Sequence, residues 1–218
     1  MRKRLLAGIA LAATLALVAA ACGGKADTTA KQTSKPKASV TDGASMLRAT
    51  LDAAFKEHTF LAALATENAL SGRKAGFEAA AGALDEASVA LSKAIGSVFG
   101  ADAEKAFLPL WRSHIGFVVD YTSNFGNKAK QDKAVSDLLA YTQTFGAFLN
   151  SAIPALPKDA AAELVKTHIL TLKGVIDAQQ AKDYAKADSM LREAADHMGM
   201  ISSALADAIV KQFPAKFA

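Results

Sequence analysis

Residues 160–210, AAAELVKTHILTLKGVIDAQQAKDYAKADSMLREAADHMGMISSALADAIV, decide the fold. Leu164, Val165, His168, Leu172 and Ile176 recur at three- and four-residue intervals, so one face of a helix beginning near Asp159 is apolar. Lys182-Asp183 interrupts the pattern. A second helix follows with Met190, His197, Ile201, Leu205 and Ile209 on its stripe, and it ends before Pro214. Two amphipathic helices joined by so short a break fold back on each other as an antiparallel hairpin.

The same grammar extends upstream. A first helix from Ala44 to Leu70 carries Leu47, Leu51, Phe55, Leu61 and Ala65, and Ser71-Gly72 ends it. A second, from Lys74 to Val98, carries Phe77, Leu84, Leu91 and Ile95 and stops at Gly100. Asp102 is the expected cap of the third, which presents Phe107, Trp111, Ile115 and Val118; Pro109 is expected to kink it or to mark its true start. Gly126-Asn127 separates a fourth helix with Val135, Leu138, Phe145 and Leu149, closed by Pro154 and Pro157. No alternating run is long enough for a strand. The expectation is an all-α antiparallel bundle of six helices over residues 44–218. Three degenerate hairpins would build it, with His58, His114 and His168 spaced 56 and 54 residues apart.

The chain has 218 residues, 51% of them hydrophobic and 21% charged, enough apolar surface for a sizeable core. Residues 2–4 (RKR) form a positive n-region, Leu5 to Val18 an apolar h-region, and Ala19-Ala20-Ala21 leads to Cys22, the one cysteine. This reads as a signal peptide over residues 1–21. The tripeptide before Cys22 resembles a bacterial lipobox, with Ala19 where Leu or Val is more usual. Acylation of Cys22 would anchor the chain at the outer face of the cell membrane, since two or more acyl chains hold stably. Residues 22–43 lack hydrophobic periodicity and read as a tether. Without Arg2, Lys3 and Arg4 the formal charge of +4 falls to +1, which leaves no electrostatic footprint for nucleic acid.

All four histidines fall on apolar stripes: His58 between Phe55 and Leu61, His114 after Trp111, His168 between Leu164 and Leu172, His197 before Ile201. Buried imidazoles need hydrogen-bond partners or a metal. Residues equidistant from a hairpin turn share a height, which pairs His168 with His197, His114 with Tyr141 and His58 with Asp85. All three partner types ligate metals or accept hydrogen bonds. In the metal reading, His58, His114, His168 and His197 are the donors, Asp85 and Tyr141 complete the set, and copper comes first, with zinc or iron next. Met198 and Met200 beside His197 add thioethers suited to Cu(I). In the plainer reading each histidine is a satisfied core residue of a structural or protein-interaction module at the cell surface. No dense metal motif, haem motif, phosphate loop or nucleophile elbow is present, and no pair of carboxylates is singled out for acid–base work. The chain is therefore read as a non-enzymatic binder, with a redox enzyme on the same histidines as a third reading.

The stretches EHTFLA (57–62), LWRSHI (110–115), DYT (120–122), DHM (196–198) and QFPAKF (212–217) resemble a family of secreted all-helical proteins of Gram-positive bacteria. Some members of that family stand beside a domain named after the N-terminal part of copper amine oxidases. The resemblance spans about residues 46–217. It implies an extracytoplasmic location and, through the domain name, an association with copper; it implies no activity and carries over no catalytic residue.

Overall fold

The computed structural model describes residues 40–217. The expected signal peptide, Cys22 and the part of the expected tether up to Ser39 lie outside them. Six helices follow in order: α1 Val40–Leu70, α2 Lys74–Phe99, α3 Ala101–Ser123, α4 Lys128–Ala152, α5 Lys158–Gln180 and α6 Tyr184–Gln212, with a closing 3-10 turn at Pro214–Lys216. No strand occurs among the described residues, and the all-α reading holds. None of these helices is long and apolar enough to cross a membrane.

Two turns share one construction. After α1, Arg73 N–H reaches back to Asn68 carbonyl and Gly72 takes the left-handed conformation (φ 70°). After α5, Asp183 N–H reaches Ala178 carbonyl and Lys182 occupies the left-handed position (φ 58°). Asn127 and Asp183 then cap α4 and α6 by accepting from the backbone N–H of Lys130 and Lys186.

Three boundary expectations are corrected. The helix α1 begins at Val40 instead of Ala44, and a Cβ on Gly43 would collide with the Phe217 backbone, so this first part of α1 packs on the C-terminus. The cap of α3 is Gly100, and Asp102 sits with Glu104 in the first turn beyond it. Pro109 neither starts nor ends α3. It lies on the exposed face, as does Lys105, whose carbonyl it frees and water can hydrate.

Each helix packs on the next in sequence, and α6 packs on α1, so the six close into one ring of neighbours. The helix α1 also touches α3 and α5, the two helices across from it. A buried polar clip ties α1 to α5, and a part-buried one ties α3 to α5. Gln179 of α5 donates to Ala63 carbonyl at 2.9 Å and accepts from Thr66 Oγ1 at 2.8 Å. Tyr121 of α3 donates to Asp177 of α5 at 2.5 Å, with Lys173 paired to the same carboxylate.

The helices α4 and α5 approach closely at Gly146, where a Cβ would stand 2.7 Å from Lys158 carbonyl and 3.1 Å from Ala162. Backbone cannot yield as a side-chain end would. Gly146→Ala is expected to lose ~1–3 kcal/mol by overpacking, read from urea midpoints. An unchanged midpoint would show that α4 and α5 part freely.

Candidate metal centre

Because α1 crosses both α3 and α5, the histidine on each is carried to one interior level. His58, His114, His168 and His197 are all buried. His58 Nε2 and His114 Nε2 stand 3.3 Å apart, and their ring centroids 5.3 Å. The His168 ring lies 5.9 Å from that of His58. Trp111 leans on both members of the pair, 4.8 Å from the His58 ring and 4.7 Å from that of His114. Tyr141 flanks His114 at 5.0 Å.

Burial in this apolar setting works against a charged ring. The pKa of His58 is held well below its usual value, first by desolvation and then by His114 and His168. His114 is pushed down to about 3 by burial and by His168, and His168 to about 4 by burial and by His197. Burial also raises the Tyr141 phenol well above 10. At neutral pH the centre is therefore an assembly of uncharged imidazoles beside an uncharged phenol.

Neutral rings make the 3.3 Å contact a long hydrogen bond with a fixed consequence. One ring donates from Nε2–H, and its Nδ1 is then bare; the other accepts at Nε2, and its proton must sit on Nδ1. Neither Nδ1 makes a hydrogen bond of good geometry, although the Trp111 carbonyl lies near enough to His114 to favour its protonated ring. No such bond is made by Nδ1 of His168 and His197, by Trp111 Nε1 or by the Tyr141 hydroxyl. Among buried side-chain atoms of the described residues, Gln212 Oε1 alone lacks a partner outside this group. Each orphan costs ~1–3 kcal/mol, so their concentration around one point is unusual for a satisfied core.

Three predicted members do not join this group as expected. Asp85 does not face His58; it sits half-exposed in a two-pronged pair with Arg112 at 2.6 and 2.7 Å. His197 Nε2–H donates to Leu164 carbonyl at 2.8 Å, which occupies that nitrogen, although the residue stays near enough to His168 to disfavour its protonation. Met198 is buried in the core and Met200 is 57% exposed, so Met200 brings no thioether inward. Among the described residues no set of three or more His, Cys, Asp or Glu side chains is grouped as a metal site. What stands is a close pair, His58 and His114, with His168 one ring away and Tyr141 alongside. The metal reading puts His58 and His114 in one site; the height rule does not pair them, and sequence reasoning missed the place of Trp111 against both. Their helices are not adjacent in sequence, and only the crossing of α1 over α3 joins them.

A cavity of about 270 Å³ between α1, α2 and α3 reaches His58 and His114. Comparison with protein-family models, curated proteins and solved structures finds no match to this chain.

The lowered histidine pKa values fix a pH dependence. Above about pH 6.5 both folded and unfolded states hold these rings neutral, and stability is flat. As pH falls below that, the unfolded chain takes up protons that folded His114 and His168 refuse down to about 3 and 4. Stability should then fall by ~1.4 kcal/mol per pH unit for each ring. Urea midpoints between pH 8 and pH 5 measure this; a curve flat down to pH 5 would show the rings protonate freely in the fold.

Proposed function

We propose that this protein is an extracytoplasmic bundle, held at the membrane by lipid on Cys22, that binds a transition metal without turning it over. The favoured ion is copper, with zinc or iron next. One observation carries the reading: His58 and His114 bring their Nε2 atoms to 3.3 Å deep in the protein, with a third imidazole beside them. Two imidazole nitrogens about 2.0–2.1 Å from a tetrahedral zinc-sized ion stand ~3.3 Å apart, so the spacing matches one edge of such a site. His168 is the nearest further donor, and small rotations of its side chain would complete three imidazoles. Tyr141 stands beside His114 as a further oxygen.

Charge chooses among the ions. The donors are uncharged and no carboxylate joins them, so the full charge of the ion is carried into an apolar interior. The cost of burying charge rises with its square, so a monovalent ion meets about a quarter of the penalty of a divalent one. Imidazoles without a carboxylate therefore favour Cu(I) over Zn²⁺ or Fe²⁺ here.

The alternative, a structural or protein-interaction module with core histidines, draws on the His197–Leu164 hydrogen bond and on the absence of a ready set of three donors among the described residues. Elemental analysis and Cu(I) titration of the untagged protein separate the two. The metal reading expects one copper per chain, a raised melting temperature, and a loss of affinity of tenfold or more in His114→Ala. Metal-free protein whose melting ignores Cu(I), Zn²⁺ and Fe²⁺ would leave the structural reading. Replacement Cys22→Ser should move the protein from the membrane fraction to the medium or wash, read by fractionation. Retention in the membrane would refute the lipid anchor.

A further inference from the structure

The cavity between α1, α2 and α3 has a build of its own. Its walls are apolar, from Ala62 and Ala65 of α1, Phe77 and Leu84 of α2, Val118 of α3 and Leu172 of α5. Its outer end carries the exposed Ala69, Gly72 and Lys74 at the turn between α1 and α2. At the opposite end stand His58 and His114, both buried.

The polar groups are satisfied where the cavity meets solvent and unsatisfied where it ends. Asn68 donates to Leu64 carbonyl at 2.8 Å and accepts from Arg73 at 2.7 Å. Thr122 donates to Val118 carbonyl at 2.8 Å, Thr66 donates to Gln179 at 2.8 Å, and Lys74 pairs with Glu78. At the inner end the Nδ1 atoms of His58 and His114 make no geometric hydrogen bond, one of them bare and the other protonated, with the Trp111 carbonyl favouring a proton on His114. A molecule filling this space gains apolar burial along the walls and meets the unbonded histidine nitrogens at its inner end.

We propose that this cavity is a binding site for a compact, uncharged, mainly apolar organic molecule bearing one hydroxyl group, which enters hydroxyl first and hydrogen-bonds to the His58–His114 pair. A hydroxyl both donates and accepts, so it suits either free nitrogen. The volume suits on the order of ten non-hydrogen atoms, near the small end of ligand pockets. A phenol or a short-chain alcohol has this chemistry. A carboxylate would enter an apolar space holding no cation, since Lys74 at the mouth is already paired. The site does not depend on a metal, and chelator-treated protein keeps it.

The test uses p-cresol and p-xylene, which share a shape and differ by one hydroxyl, on the untagged full chain freed of metal by a chelator. Saturable p-cresol binding by calorimetry is expected, about tenfold tighter than p-xylene, as one hydrogen bond permits. Nuclear Overhauser contacts should place its hydroxyl end at the His58 and His114 rings. Ala65→Leu, or Val118→Phe should the first fail to fold, should abolish binding by filling the space. No saturable binding, equal affinity for p-cresol and p-xylene, or contacts remote from the two histidines would each overturn the proposal. Metal titration of the same preparation reports on the metal reading separately, so either can fail alone.

Discussion

Three imidazoles and a phenol sharing one dry interior level constrain everything around them. No carboxylate lies among them, so burial favours the uncharged form of each of these rings at neutral pH. The packing reinforces that preference. Phe107, Trp111, Phe145 and Tyr141 form an aromatic cluster beside His114, stacked at Phe107–Trp111 and Tyr141–Phe145 and tilted at Trp111–Phe145, with a void of about 60 Å³ among them. Filling that side with rings excludes water, which deepens the desolvation that holds the histidines uncharged.

The cluster also explains why the larger space lies on one side. Aromatic rings pack the level on the α4 side and leave about 60 Å³, whereas the side between α1, α2 and α3 keeps about 270 Å³. Small side chains make that gap: Ala62 and Ala65 lie on the α1 stripe just below His58. The polar clips Gln179–Ala63 and Tyr121–Asp177 then hold α1 and α3 to α5 alongside the gap, so it is not closed by collapse of the helices.

Much of this was legible in the sequence because helix periodicity and breakers are local signals. The turn at Lys182-Asp183, the break at Gly126-Asn127 and the stops at Ser71-Gly72 and Gly100 all depend on a few neighbouring residues. The height rule across a turn also placed Tyr141 beside His114. It failed at Asp85, because height along two helices says nothing about rotation about them. Asp85 has the height of His58 and faces the surface, where Arg112 of α3 takes it in two hydrogen bonds. Asp102 shows a different limit: an acid two residues after a glycine reads as a cap, but the left-handed Gly100 (φ 96°) already turns the chain and takes that place.

The metal reading brings His58 and His114 to one site, but the hairpin arithmetic does not pair them, for a topological reason. Hairpin arithmetic treats α1–α2, α3–α4 and α5–α6 as separate units, and within that frame His58 and His114 never meet. In a closed ring of six, one helix is pressed inward to fill the middle, and here it is α1, which crosses both α3 and α5. The regular spacing of His58, His114 and His168 along the chain then acquires a physical meaning. Each stands at the same height of an odd-numbered helix, and the odd-numbered helices are the ones that cross. One imidazole on each odd-numbered helix is chemically ordinary; three become a centre because the ring closes around α1.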